Sequence, residues 1–335
     1  MEFSNRSSAP ATGTPLVSFV VPLYFTGIGV VKLLDEFRNL PVPEGYEVVL
    51  VNDGSRDDTM KHATAAVATM PIPVTLVDLA RNFGEHAATL EGFRHSRGEY
   101  VICLDDDLQN PVSEALRLLA HIRSTDADVV YAYYEEKKHH WFRNLGSRVN
   151  SWMATWLLDK PKNLYLCSFR AHSRALVDRI SAYTGPYPYI DGLILSSTNR
   201  IERLLVKHEE RADGQSGYTL RKLVRLWMNM FFNFSIMPLR VASLLGGMIC
   251  GVGLFLLAWV LIEHYFAGVR QSGWASTISA ISIFSGAQLL ILGLLGEYVG
   301  RAYMTLSGKP QSLVRSVAQH RPARQLLAGE LERKS

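Results

Sequence analysis

The stretch "CLDDDLQNP", Cys103 to Pro111, places three aspartates directly after an apolar run. Like charges crowded this closely repel, so their position calls for a surface turn or for a bound cation. On an extended segment Asp105 and Asp107 point to one side and Asp106 to the other, and Gln109 keeps the parity of the first two. Two carboxylates and an amide oxygen are hard oxygen donors, suited to Mg²⁺ or Mn²⁺. Alone, a D-x-D is common in acidic turns. At the end of a strand it is more selective, and "EYVIC" reads as that strand.

The elements that would position it follow from periodicity. "VSFVVPLY", "YEVVLVND", "VTLVDLA", "EYVICLDDD" and "ADVVYAYY" read as strands. Between them lie segments with helical spacing: "GVVKLLDEFRNL", "DDTMKHATAAVATM", "EHAATLEGFRHS" and "PVSEALRLLAHIRS", the last with Pro in its first turn. Such alternation predicts an α/β fold, a mostly parallel sheet with helices on both faces. Ligands of such sheets sit beyond the carboxyl ends of the strands. "VPLY", "VNDGS" and "LDDDLQ" all fall there and converge on one crevice.

The chain has 335 residues, 48% hydrophobic and 20% charged, which excludes wholesale disorder. Its apolar residues are unevenly spread. Val241 to Ile262 and Ser272 to Gly296 contain no charged residue, and each exceeds the roughly 20 residues that span a bilayer core. A nine-residue connection joins them, so a membrane hairpin is expected, with two buried helices of a soluble core as the alternative. Arg221, Lys222, Arg225 and Arg240 precede the first span, and Arg301, Lys309, Arg315, Arg321 and Arg324 follow the second. This distribution predicts cytoplasmic termini.

Residues 218–239 mix Arg and Lys with Trp, Met and Phe, as a helix lying in the membrane interface would. The first sixteen residues read as a loose tail with no apolar signal core, and 299–335 as a basic cytoplasmic tail. The net charge of +4 is mild and clusters near the apolar spans, which favours anionic headgroups over nucleic acid. Cys103, Cys167 and Cys250 lack metal-site spacing and read as reduced structural thiols.

The segments "VVPLY", "VNDGSRDDT", "RNFGEHAA", "LDDDLQNP", "CSFRAHSRAL" and "HEERADGQSGYTLRKL" occur in this order. Together they resemble glycosyltransferase family 2, and within it the membrane-anchored polyprenyl-phosphate glycosyltransferases. The likeness runs from Val17 to Lys309 and includes "GEYVGRAY" after the second span. It implies a cytoplasmic GT-A (Rossmann-like) catalytic domain over 17–217, then the interfacial segment and a two-helix membrane hairpin over 240–298, at a bacterial inner membrane.

The implied reaction is inverting transfer of a sugar from a nucleotide-sugar, UDP ranked above GDP, to polyprenyl (undecaprenyl) phosphate. Pro22 and Tyr24 match the nucleoside-binding strand end, and Asp53, with Gly54 and Ser55, the contact to base or ribose. Asp105, Asp107 and Gln109 match the metal and diphosphate site, which takes Mg²⁺ or Mn²⁺. Arg211 and Ser216 match a late loop that closes over the donor phosphates; Asp107 and Arg211 would carry the catalysis. Ser168 and Arg170 match an element facing sugar and acceptor, and the resemblance leaves a homo-oligomer open.

Arg143 and Arg148 either balance the acceptor phosphate or are solvated surface arginines, and Asp191 is either a base toward a hydroxyl acceptor or a helix cap. Three departures stand out: Phe25 and Thr26 replace the family's Asn and Glu, Asp106 replaces a small residue, and Gly217 replaces a Lys. The alternative readings are a transferase acting on a hydroxyl of a lipid or polysaccharide, and a membrane-anchored scaffold without turnover. No Q-x-x-R-W motif of processive synthases is present.

Overall fold

β1 (Val17–Leu23), β2 (Tyr46–Asn52) and β3 (Val74–Leu79) are buried along almost their whole length. Strands apolar on both faces belong in the middle of a sheet covered on each side. The computed structural model, which describes residues 14–134, 164–185, 188–207, 237–267, 273–308 and 310–322, places them so. β1 pairs in parallel with β2 and with β4 (Tyr100–Cys103), and β2 pairs in parallel with β3.

Helices α1 (Gly29–Glu36), α2 (Thr59–Val67) and α4 (Val112–Ser124) bury Val30, Leu33, Leu34, Ala63, Val67, Ala115 and Leu118 in one core with Phe19, Val21, Val48 and Leu50. Helix α3 (Glu85–His95) covers the opposite face. Its Gly92 lies so close to β1 that a Cβ there would stand 2.3 Å from Val20 Cγ1. That approach sets the depth at which the first turn of α3 meets the ends of β1 and β2.

The sheet has eight strands in the order β7-β5-β6-β4-β1-β2-β3-β8. β5 (Val129–Tyr133) and β7 (Ile201–Leu205) are parallel neighbours, while β6 (Arg170–Ser173) runs antiparallel between β4 and β5. β8 (Val314–His320) runs antiparallel along β3. The sheet is therefore mixed, where alternation of strands and helices predicts a mostly parallel one. β6 is too short and polar, "RAHS", to show a period, and β8 is an exposed edge. Helices α5 (Arg174–Ser181) and α6 (Ile190–Ser197) follow β6. The segment expected to be a basic tail thus supplies an edge strand.

β4 stops at Cys103, so the three aspartates lie beyond it in a turn that includes Leu108 at φ 58°. The strand alternation expected to separate Asp106 from its neighbours does not operate there.

The chain divides into two units, residues 1–217 with 310–335, and 218–309. The second contains α7 (Met237–Ala267) and α8 (Trp274–Leu306). A Cβ at Gly246 would meet Ile291, and one at Gly253 would meet the Phe284 ring; moving up one helix moves down the other, so they pack antiparallel. Leu244, Phe255, Trp259, Leu289, Leu290 and Leu292 are exposed. Among the described residues Ile283–Leu306 is long and apolar enough to cross a membrane, further along than the expected span. Glu297 and Arg301, at i,i+4 spacing, pair at 2.8 Å.

Candidate active site

Three strand ends meet at the carboxyl edge of the sheet. At the end of β2, Asp53 is 2% exposed, and its two carboxylate oxygens accept the backbone N–H groups of Phe83 (2.7 Å) and Gly84 (2.9 Å). Burial raises its pKa and these two donors oppose the rise. Asp53, expected to touch a base or ribose, is thus committed to shaping the loop that leads into α3.

Gly54 has φ +64°, and a Cβ would stand 2.3 Å from the Arg81 carbonyl carbon, so only glycine fits where the two loops cross. Ser55 N–H donates to Asn52 Oδ1 at 3.3 Å, and its hydroxyl oxygen accepts the Phe25 N–H at 3.1 Å. The turn after β2 therefore holds the loop after β1. Pro22 lies within β1, half-buried, and Tyr24 just past its end is half-exposed.

At the end of β4, Asp105 is half-buried, and the Ser168 hydroxyl donates to its Oδ2 at 2.6 Å. Its pKa is pushed up to about 7, first by desolvation and then by Glu85, while Ser168 opposes; Asp107 and Asp106 add to the rise. Asp107 Oδ1 accepts the Gln109 N–H at 3.2 Å, closing the turn. Asp106 turns toward β1: its Oδ2 accepts the Tyr24 N–H at 3.2 Å and the Thr26 hydroxyl. Among the described residues no cluster of three His, Cys, Asp or Glu side chains has metal-binding geometry. A cation here would rest on the two carboxylates of Asp105 and Asp107, with Gln109 beside them.

Ser168 reaches this site, but Arg170 does not open to solvent. It is 3% exposed, pairs with Asp191 and donates to the Cys167 carbonyl at 3.3 Å. Tyr131 donates to the same Asp191 oxygen at 2.9 Å. Asp191, one of whose readings was a base, is spent on a buried ion pair.

Sequence reasoning missed Glu85 at the start of α3, and read its neighbour His86 only as a surface or packing residue. Desolvation raises the Glu85 carboxyl, Arg170 lowers it, and Asp191 and Asp106 raise it further. His86 packs edge-on against Tyr189, with ring centroids 5.0 Å apart, and burial brings its pKa down to about 4. The signal was available: "GEH" opens a helix shortly after the carboxyl end of β3, the edge at which ligands of such sheets sit. Arg143, Arg148, Arg211 and Ser216 lie outside the described residues, as does nearly all of the interfacial segment.

The arrangement offers a carboxylate pair for a divalent ion, an aromatic strand end beside it, and a neutral imidazole. The sequence profile described as Glycosyl transferase family 2 matches residues 18–183. An undecaprenyl-phosphate 4-deoxy-4-formamido-L-arabinose transferase of Sodalis glossinidius is 33% identical, covering 91% of this chain and 95% of its own length. The enzyme of the same name from Pseudomonas fluorescens is 32% identical, covering 92% and 91%. Among solved structures, glucosyl-3-phosphoglycerate synthase from Mycobacterium tuberculosis, in a complex with Mn²⁺, UDP and phosphoglyceric acid, has a TM-score of 0.50 at 16% identity. That likeness covers 65% of this chain and 76% of the other, and it concerns the fold.

Proposed function

This chain belongs to glycosyl transferase family 2, and we propose that it moves a sugar from a nucleoside diphosphate to a polyprenyl phosphate, undecaprenyl phosphate first. One observation carries the reading. The likeness to the undecaprenyl-phosphate transferases spans more than nine-tenths of this chain, so it takes in the paired carboxylates and the apolar helices together.

The acceptor phosphate oxygen attacks the anomeric carbon, and the bond from that carbon to the β-phosphate oxygen breaks. Its electron pair leaves with the nucleoside diphosphate. The attacking oxygen is already anionic near neutral pH, so no proton has to be removed. That agrees with Asp191 being enclosed against Arg170 and Tyr131, whereas a hydroxyl acceptor would call for a base.

Crowding of Glu85, Asp106 and Asp107 around Asp105 leaves a surplus of negative charge that fits a divalent cation. Asp105 and Asp107, with Gln109, would hold Mg²⁺ or Mn²⁺. The bound ion would stabilise the charge developing on the departing diphosphate. Ser168 fixes the Asp105 carboxylate; Pro22, Tyr24, Gly54 and Ser55 are assigned to the nucleoside end. Arg211 and Ser216 are assigned to the donor phosphates, and Arg143 and Arg148 to the acceptor phosphate. A planar guanidinium matches phosphate oxygens in both roles.

The exposed apolar surfaces of α7 and α8 are assigned to the bilayer. Strand β8 belongs to the same sheet as β1 to β7. The chain that leaves that domain before α7 therefore returns to the same side after α8, so both helices cross or neither does. The length and apolarity of Ile283–Leu306 support a two-helix hairpin, and the flanking Arg and Lys favour a cytoplasmic catalytic domain.

The test is a donor-by-acceptor assay on detergent-purified protein, pairing labelled UDP- and GDP-sugars with polyprenyl phosphate, with and without Mn²⁺ or Mg²⁺. Metal-dependent passage of label into the lipid phase, absent in Asp107→Ala, is expected. Transfer only to a hydroxyl acceptor would overturn the phosphate acceptor. Folded protein that binds no donor would return the scaffold reading.

A further inference from the structure

Four consecutive residues after β1 are each held by a side chain from another loop or from the start of α2. Tyr24 N–H donates to Asp106 Oδ2 (3.2 Å), Phe25 N–H to Ser55 Oγ (3.1 Å), the Thr26 hydroxyl to Asp106 Oδ2, and Gly27 N–H to Thr59 Oγ1 (2.8 Å). Within this loop Phe25 has φ 55°, a left-handed conformation that a bulky non-glycine residue rarely adopts. Such a conformation persists where its surroundings over-determine it, and here they do.

The result is an aromatic corner. The Tyr24 and Phe25 rings stand edge to face with centroids 4.6 Å apart, and each residue is about half exposed (50% and 52%). Because Asp106 sits between Asp105 and Asp107, its hydrogen bonds tie this corner to the two carboxylates on either side of it.

We propose that Asp106 and Thr26 form a clamp that sets the Tyr24–Phe25 corner relative to the Asp105–Asp107 carboxylates, and that the clamp governs how tightly the nucleotide is held. Asp106 is a positioning residue, not a third metal ligand. Its Oδ2 is taken up by two hydrogen bonds from the β1 loop. The two positions are chemically matched: a hydroxyl at 26 donates to the carboxylate at 106, where a second carboxylate would repel it. Phe25, Thr26 and Asp106 are three of the four residues whose types departed from the family pattern, Gly217 lying outside the described residues, and the structure joins these three in a single unit. The link to nucleotide affinity rests on the proposed function; the clamp itself does not.

The experiment compares Asp106→Ala, Asp106→Asn, Thr26→Val and the Asp106→Ala/Thr26→Val pair in the full-length protein. Hydrogen exchange of the peptide spanning residues 24–27 reads the clamp directly, without any ligand. It is expected to accelerate at least tenfold in Asp106→Ala and clearly in Thr26→Val, and to stay near wild type in Asp106→Asn, which keeps an acceptor oxygen. Equilibrium binding of UDP and of GDP in the presence of Mn²⁺ reads the consequence. Each single alanine or valine variant is expected to lose about tenfold in affinity, and the pair little more than Asp106→Ala alone, because that variant already removes the bond that Thr26→Val removes.

Mn²⁺ binding without nucleotide should stay near wild type in Thr26→Val and weaken only modestly where the Asp106 charge is removed, against a much larger loss in Asp107→Ala. Unchanged exchange of 24–27, or a loss of Mn²⁺ affinity in Asp106→Ala as large as in Asp107→Ala, would overturn the inference. So would Asp106→Asn behaving like Asp106→Ala. Faster exchange in variants of a protein that binds neither nucleotide even as wild type would confirm the clamp and refute the proposed function.

Discussion

Arg170 and Asp191 form an ion pair in the core behind the candidate site, and both are nearly shut off from solvent. They come from different elements, β6 and α6, and Tyr131 from β5 joins them through a 2.9 Å hydrogen bond. The Arg170 guanidinium also lies over the Tyr131 ring at 5.5 Å. A strand pair and a helix are thereby locked next to Ser168, the residue that orients Asp105.

Removing one partner strands the other charge in the core. Asp191→Ala is expected to destabilise the protein by about 3–5 kcal/mol. The Arg170→Met/Asp191→Leu pair should recover much of that loss, since an enclosed ion pair is poorly repaid for its desolvation. Thermal unfolding of the purified variants checks this. A catalytic base would give the opposite pattern, with normal stability and lost turnover.

Asp105 and Asp107 should fail differently from Asp191. Asp107→Ala is expected to leave unfolding unchanged within about 1 kcal/mol, because a half-buried turn residue supports little packing. Transfer should fall by at least about 10³-fold. Chelation of divalent ions should abolish wild-type transfer, and Mn²⁺ or Mg²⁺ should restore it. Turnover measured with and without chelator, on protein shown to be folded, checks both statements.

Ser168→Ala tests the orienting hydrogen bond. The hydroxyl lowers the Asp105 pKa against desolvation, so its removal weakens metal binding without removing a ligand. A loss of about 10-fold to 100-fold in metal affinity is expected, with turnover at saturating metal largely kept. Titration of activity with Mn²⁺ separates the two effects.

Much of this was legible in the sequence. The first five strands were legible as short apolar runs buried on both faces, and the four helices between them as segments apolar at helical spacing. The D-x-D was visible because carboxylates rarely follow a buried strand without cause. What was hidden depends on contacts between distant segments. Nothing local in "RAHS" says that it pairs between β4 and β5, and nothing near Asp53 says that residues 83 and 84 will take both its oxygens. Asp106 was read by strand parity, but the strand had already ended at Cys103. Its partner, Thr26, lies 80 residues away.

Glu91 on α3 carries a pH dependence with a definite sign. Its pKa is lowered to about 2, first by the His95 side chain, with Ser312 and Arg94 also lowering it and burial opposing. A depressed carboxyl pKa stabilises the fold above the unfolded value of about 4.5, and that contribution is lost as pH falls from there toward 2. Glu91→Gln should therefore be less stable than wild type by about 2 kcal/mol at pH 7. The difference should close as pH drops toward 2. Unfolding midpoints of both proteins between pH 7 and 2.5 check this, and a gap that widens in acid would reverse the sign.

The same helix meets the segment that returns after α8. Ser312 donates to Glu91 at 2.9 Å, Arg94 reaches Gln311 at 3.0 Å, and Arg315 pairs with Asp78 at 3.1 Å while β8 runs along β3. Three polar links and a strand ladder cannot form across a bilayer, so residues 310–320 must lie on the same side as the catalytic domain. A reporter fused after Ser335 is expected to be active only in its cytoplasmic form, fluorescent as green fluorescent protein and silent as alkaline phosphatase. Cutting the chain after Gly308 should strip β3 of its edge partner and leave Asp78 without Arg315. Amide exchange along Val74–Leu79 should then accelerate sharply, with the β1–β2 pairing protected as before. A reporter active only on the far side would show that β8 does not pair with β3 in the membrane-bound protein, and the hairpin would fall with it.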